Sequence, residues 1–150
     1  MRLRIHERNM IMKADLSVYI SFDGQARQAL TYYQCALGGD LDLETYGKFG
    51  MAATPADEEK ILYGVLRNNH GFVIRGTDRA LQDGPTENGT AFAVCLNGEE
   101  RGLLSGCWEG LAGKGSTVVQ PLGETPWGDL NGVLCDPFGI LWIVNIGASK

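Results

Sequence analysis

The chain of 150 residues holds only two histidines, His6 and His70. That scarcity excludes a His-rich metal centre within one subunit, because such centres draw on several imidazoles at once. Its four cysteines, Cys35, Cys95, Cys107 and Cys135, share no C-x-x-C spacing and lie inside apolar segments. They read as buried, reduced thiols of a cytoplasmic protein, not as a disulfide framework or a zinc cluster. No stretch nears the roughly 20 apolar residues of a membrane-spanning helix, and the start lacks the apolar core of a secretion signal. Basic charge is scarce and scattered. Thirteen Lys and Arg against 18 Asp and Glu leave a net charge of −5, which argues against nucleic acid as a partner. The single basic cluster, Arg2, Arg4 and Arg8, is read as part of a disordered or leader segment over residues 1–14.

What is present is an ordinary globular composition, 44% apolar. A chain of this length buries about 68–70% of its unfolded surface and needs neither disulfide nor metal to fold. The second feature is a duplication. Leu16 to Phe22 alternates as a strand, Asp23-Gly24 is turn chemistry, and Ala26, Ala29, Leu30, Tyr33 and Leu37 recur at helical spacing until Gly38-Gly39. In the second half Thr90 to Leu96 repeats the strand, followed by a helix over 99–111 that ends near Gly113. Leu103, Leu104, Cys107, Trp108 and Leu111 form its expected buried face. Each helix is followed by three strand-like segments: Leu41 to Tyr46, Ile61 to Arg67 and Phe72 to Arg75 first, then Ser116 to Gln120, Asn131 to Cys135 and Ile140 to Ile146. Gly76 to Gly89 reads as the joint, and Pro121 to Asp129 as a loop.

This order predicts an α+β domain over 15–150, built from paired βαβββ modules at about 15–75 and 90–146. The sheets are expected to be curved, mixed and mostly antiparallel, with a helix on one face of each. The other face lacks a helix, so two halves or two chains must curl those faces around a shared ligand space.

Two stretches carry a family likeness. The first is Tyr19-Ile20-Ser21-Phe22-Asp23-Gly24-Gln25-Ala26, with Ala29-Leu30-Thr31-Tyr32-Tyr33 and Leu37-Gly38-Gly39. The second is Glu124-Thr125-Pro126-Trp127-Gly128 with Asp136-Pro137-Phe138-Gly139-Ile140-Leu141-Trp142-Ile143-Val144-Asn145. Together, around a duplication, they resemble the vicinal-oxygen-chelate superfamily, which includes glyoxalase I, bleomycin-resistance proteins and extradiol dioxygenases. The nearest likeness is to its PhnB-like branch. The resemblance spans about 15–146 and implies a glyoxalase-like fold, a homodimer and a small-molecule ligand. It also implies a divalent metal, with ligand positions falling near Val18, Tyr63, Ala91 and Ile143. Three of these cannot ligate, and a phenol with a reference pKa near 10 is a poor ligand. No metal and no cofactor are therefore expected.

The expected cavity residues are Tyr19, Tyr63, Glu124, Trp127 and Trp142. Alternation places Tyr63 on one strand face with Ile61 and Val65. If that face is the cavity, its hydroxyl is a polar handle; otherwise it is a buried tyrosine bonded to backbone. Trp127 and Trp142 suit either cavity walls or core and dimer packing. In related proteins the loop carrying Glu124 borders the cavity. His70 reads as the tip of an Asn68-Asn69-His70-Gly71 turn, and Asp57-Glu58-Glu59 as a solvated acidic stretch. The reading is a cytoplasmic homodimer that binds a small apolar or aromatic molecule, with no nucleic acid or membrane partner. The alternative is a glyoxalase-type lyase, isomerase or dioxygenase using an unorthodox metal or an acid–base pair such as Tyr63 and Glu124. No catalytic residue is assigned.

Overall fold

The computed structural model describes residues 14–79, 86–89 and 91–148. The expected leader lies almost wholly outside them. Each half runs strand, helix, three strands. The first half is β1 (Val18–Phe22), α1 (Ala26–Leu37), β2 (Asp40–Thr45), β3 (Ile61–Arg67) and β4 (Val73–Asp78). The second is β5 (Val94–Gly98), α2 (Arg101–Leu111), β6 (Thr117–Glu124), β7 (Leu130–Cys135) and β8 (Leu141–Ile146). Each half forms its own four-stranded sheet, ordered β1-β4-β3-β2 and β5-β8-β7-β6. In both, the first strand pairs in parallel with the fourth and the other pairings are antiparallel. The duplication in the sequence is thus a duplication of topology, and the α+β, mixed-sheet expectation holds.

Alternation decides which face each strand buries. In β1, Ile20 and Phe22 are buried while Tyr19 is 54% exposed. In β8, Trp142, Val144 and Ile146 are buried, whereas Leu141, Ile143 and Asn145 are half-buried on the other side. The buried sides pack on the helices through Ala26, Ala29, Leu30, Tyr33 and Leu37 of α1 and Leu104, Cys107 and Leu111 of α2. One core cluster joins residues of both halves. The helices touch each other, and the contact is close. A Cβ on Gly110 would lie 2.8 Å from the Ala36 Cα, inside van der Waals contact.

One buried carboxylate ties the halves and a second ties elements within the first half. Asp136, only 4% exposed, accepts from the Tyr33 hydroxyl at 2.5 Å and the Trp142 indole at 2.9 Å, and from the amides of Phe138 and Ile140. The Asp-Pro-Phe-Gly turn therefore docks on α1, with the Phe138 ring edge-on to Phe22, Tyr32 and Tyr33. Asp78, only 2% exposed, accepts from the Ala26 amide at 2.8 Å and the Ile61 amide at 2.9 Å. It caps α1 from across the fold, since the Gln25 side chain makes no cap bond.

Several expectations are corrected. β4 extends to Asp78, and β6 continues through Pro121 to Glu124 with two irregularities in its register. An edge position admits Pro121, because its missing N–H is not needed by a neighbour. Cys35 and Cys95 are exposed, and among the described residues only Cys107 is a fully buried thiol. Asp57 is buried and paired with Lys60 at 2.8 Å, so the acidic stretch is not wholly solvated. His70 does sit exposed in its turn, where Asn68 Oδ1 accepts from the His70 and Phe72 amides.

Candidate functional site

Ile61, Tyr63 and Val65 do not share a face. Thr45 pairs with Ile61 and Glu44 with Tyr63, so Leu62 is an extra residue on β3, a bulge. The bulge turns Ile61 into the core beside Gly64 and leaves Tyr63 and Val65 on the face away from α1. Among the described residues that face carries no helix. Across it, in register, stand Tyr19 of β1, Arg75 of β4, Val65 of β3 and Asp42 of β2.

Arg75 organises the polar part. Its Nε donates to the Tyr63 hydroxyl oxygen at 3.0 Å. Its outer nitrogens grip Asp15 at 2.8 and 3.1 Å, and one also donates to the Ser17 hydroxyl. Arg67 reaches the same Asp15 carboxylate at 3.9 Å. The hydrogen bond from Arg75 holds the Asp15 carboxyl below the usual carboxylate range, and the same bond keeps the guanidinium charged at any pH of interest. Because the Tyr63 oxygen accepts from a cation, its own proton remains available to a ligand oxygen. The arrangement offers one exposed tyrosine ring, one oriented phenol and one planar cation.

Of the expected cavity residues, Tyr19 and Tyr63 are brought together on this face. The others are not. Trp142 is fully buried on the helix side of the second sheet, bonded to Asp136 and packed on Tyr33, so it is a core residue. Its segment is apolar on both strand faces, and alternation alone does not choose between them. Trp127 is 70% exposed in the β6–β7 turn. Glu124 is exposed and pairs with Leu130, which packs on the core, so its register aims it toward the helix side. Tyr63 and Glu124 stand on separate sheets and form no acid–base pair within one chain.

The second sheet's helix-free face carries residues that sequence reasoning missed. Asn97, Asn145 and Asn131 stand in one row. Asn145 donates to Asn97 at 3.0 Å and to Asp129 at 3.3 Å, and accepts from Asn131 at 3.1 Å. Their signal was present, since Asn145 is the polar member of an alternating strand. Arg75 was likewise legible as a charged residue inside the expected strand Phe72 to Arg75. Where the halves meet, a cleft of about 350 Å³ runs between β1 and β5 and is closed by residues 86–89, by Phe92 and Ala93, and by Gly139–Leu141. Tyr19 lines it; the other four expected residues do not.

The metal positions implied by the resemblance fit poorly. Val18 pairs with the buried Ile74 and faces the core. Ala91 is exposed ahead of β5, and Ile143 lies on the second sheet's helix-free face. Among the described residues no three His, Cys, Asp or Glu side chains form a group able to hold a metal ion. Val18, Tyr63, Ala91 and Ile143 offer at most one phenol oxygen, so these four positions do not fit a divalent centre of that kind.

Comparison with known proteins agrees with the fold. Residues 16–144 match the profile of the Glyoxalase/Bleomycin resistance protein/Dioxygenase superfamily. The chain is 26% identical over 139 residues to the protein YjdN of Escherichia coli K12, covering 87% of this chain and 94% of that one. It is similar to the crystal structure of PA1353 from Pseudomonas aeruginosa, with 30% identity, a TM-score of 0.70, and coverage of 90% of this chain and 100% of that one. The PhnB protein from Bacillus cereus shares the fold at a TM-score of 0.65 and 16% identity, covering 89% and 100%. The chain therefore belongs to the Glyoxalase/Bleomycin resistance protein/Dioxygenase superfamily.

Proposed function

We propose that this chain is a PhnB-like binding protein that holds a small apolar or aromatic molecule against the helix-free face of its first sheet, without the family metal. The observation that carries this reading is the Tyr63 hydroxyl, fixed by Arg75 beside Tyr19 on a sheet face that carries no helix among the described residues. Aromatic side chains supply apolar contact area, and one oriented phenol supplies selectivity for a ligand oxygen.

Tyr19 stands exposed on this face, and the reading includes a second copy that covers it. Tyr19, Phe92, Val118, Val119 and Trp127 are large apolar side chains exposed on one chain. Burial of such groups in a homodimer is favourable at roughly 25 cal/mol per Å².

A thermal-shift screen of small aromatic molecules, run in parallel on the native chain and on Tyr63→Phe, tests the proposal. The expected result is a set of ligands whose binding weakens by about 0.5–1.5 kcal/mol in the variant, the net worth of one hydrogen bond. Ligands that bind both proteins equally would place the handle elsewhere. Elemental analysis showing stoichiometric metal, lost on changing Tyr63, would overturn the metal-free half of the reading.

A further inference from the structure

We propose that the Arg75 guanidinium is the anchor for a carboxylate-bearing ligand, and that Asp15 occupies its fork as a built-in stand-in for that carboxylate. The inference rests on the reading that this sheet face binds the ligand, and it names the ligand's chemical class.

Arg75 lies in the middle of the face, flanked in register by Tyr19 and Val65. Three neighbours fix its plane. Tyr63 accepts from Nε, Ser17 accepts from one outer nitrogen, and Asp15 accepts from both outer nitrogens. Asp15 is thereby held in the two-pronged geometry by which arginine recognises a carboxylate. A second cation, Arg67, converges on the same carboxylate.

The occupant differs from the rest of the cluster in one respect. Tyr63, Arg67 and Arg75 are held by strand pairing, whereas Asp15 and Ser17 belong to the segment ahead of β1. Strand pairing fixes the receptor, and the carboxylate that fills it is carried on backbone outside the sheet. An aromatic carboxylate entering over Tyr19 and Tyr63 would meet the fork where Asp15 now sits. Asp40 and Asp42 line the same face on β2, opposite Arg67 and Val65. They repel an anion away from the edge strand and so favour the fork as the place for a carboxylate.

The test titrates benzoate and its uncharged counterpart benzamide into the full chain at low salt, following backbone amide resonances. Native protein, Asp15→Ala, Arg75→Gln and Arg75→Lys are compared. Benzoate is expected to shift Ser17, Tyr63 and Arg75 and to bind Asp15→Ala about ten-fold more tightly than native, because the competing carboxylate is gone. Arg75→Gln is expected to abolish that binding. Arg75→Lys is expected to weaken it about five-fold or more, since a point charge lacks the fork. Benzamide is expected to bind all four alike. Unchanged benzoate affinity in Asp15→Ala, with benzamide still shifting Tyr19 and Tyr63, overturns the carboxylate anchor and leaves the binding face standing. Shifts from neither compound on this face overturn both. Native-like spectra of the variants show that each is folded.

Discussion

Asp136 concentrates more of the fold than any other single side chain described. Two side-chain donors and two backbone amides converge on it in a buried setting. Removing the carboxylate strands all four, whereas removing one partner strands none. Tyr33→Phe is therefore expected to cost about 1.5–3 kcal/mol, the worth of a hydrogen bond to a charged group. Asp136→Ala is expected to cost more than that, with denaturant unfolding as the readout. The double variant should cost less than the sum, because the two residues share one network. Equal losses in Asp136→Ala and Tyr33→Phe would show that the other three bonds contribute nothing. At this scale the sequence was only half legible. It marked the Asp-Pro-Phe-Gly turn as special, yet nothing in a linear pattern says that a tyrosine 103 positions away donates to it. The same limit hid Asp15, whose role depends on an arginine 60 residues distant.

Strands and helices were legible to the extent that their periodicity was intact. The α1 face of Ala26, Ala29, Leu30, Tyr33 and Leu37 is the buried face found. On α2 the expected face was right in direction, with Leu104, Cys107 and Leu111 buried and Leu103 and Trp108 at its margins. What failed was β3, because a bulge adds a residue without changing composition, and alternation counted across Leu62 assigns Ile61 to the wrong side. Helix α2 also offers a sharp contrast between two glycines. Gly110→Ala drives a methyl into the Ala36 backbone and is expected to destabilise by about 1–3 kcal/mol as the helices part. Gly106 faces open space, so Gly106→Ala is expected to stabilise by about 0.4–1 kcal/mol through the unfolded chain. Thermal unfolding of the two variants reads both signs. A destabilised Gly106→Ala, or an unaffected Gly110→Ala, would contradict the packing described.

For the whole molecule, pH dependence follows from which groups resist ionisation and which favour it. Burial pushes the Cys107 and Cys135 thiols up, and burial with the neighbouring Asp136 pushes the Tyr33 phenol far up. A raised acid ionises first in the unfolded chain. Stability is therefore intact below about pH 8.5 and declines as pH rises past the ordinary thiol and phenol values near 8.5 and 10. At the other limb, Arg75 lowers Asp15 and hydrogen bonds from Thr86 lower Asp23. Their contribution is present above about pH 4 and fades below it. A stability profile still rising at pH 10 would contradict the alkaline half. The fold class was legible at this scale because the duplication repeats whole modules, and a repeat survives errors of a residue or two at each boundary. The position of a site is harder to read at this scale, because a sheet face shows its function only through what comes to cover it.

The central claim is that the first sheet's helix-free face is where the ligand binds. Mapping the amide-resonance shifts caused by a ligand from the thermal-shift screen tests it most directly. The largest shifts are expected along residues 17–21, 63–67 and 73–77, the three strands that carry Tyr19, Tyr63 and Arg75. Shifts confined to the cleft beside α1, lined by Arg27, Gln28, Thr31 and Lys60, or to the asparagine row of the second sheet, would contradict it.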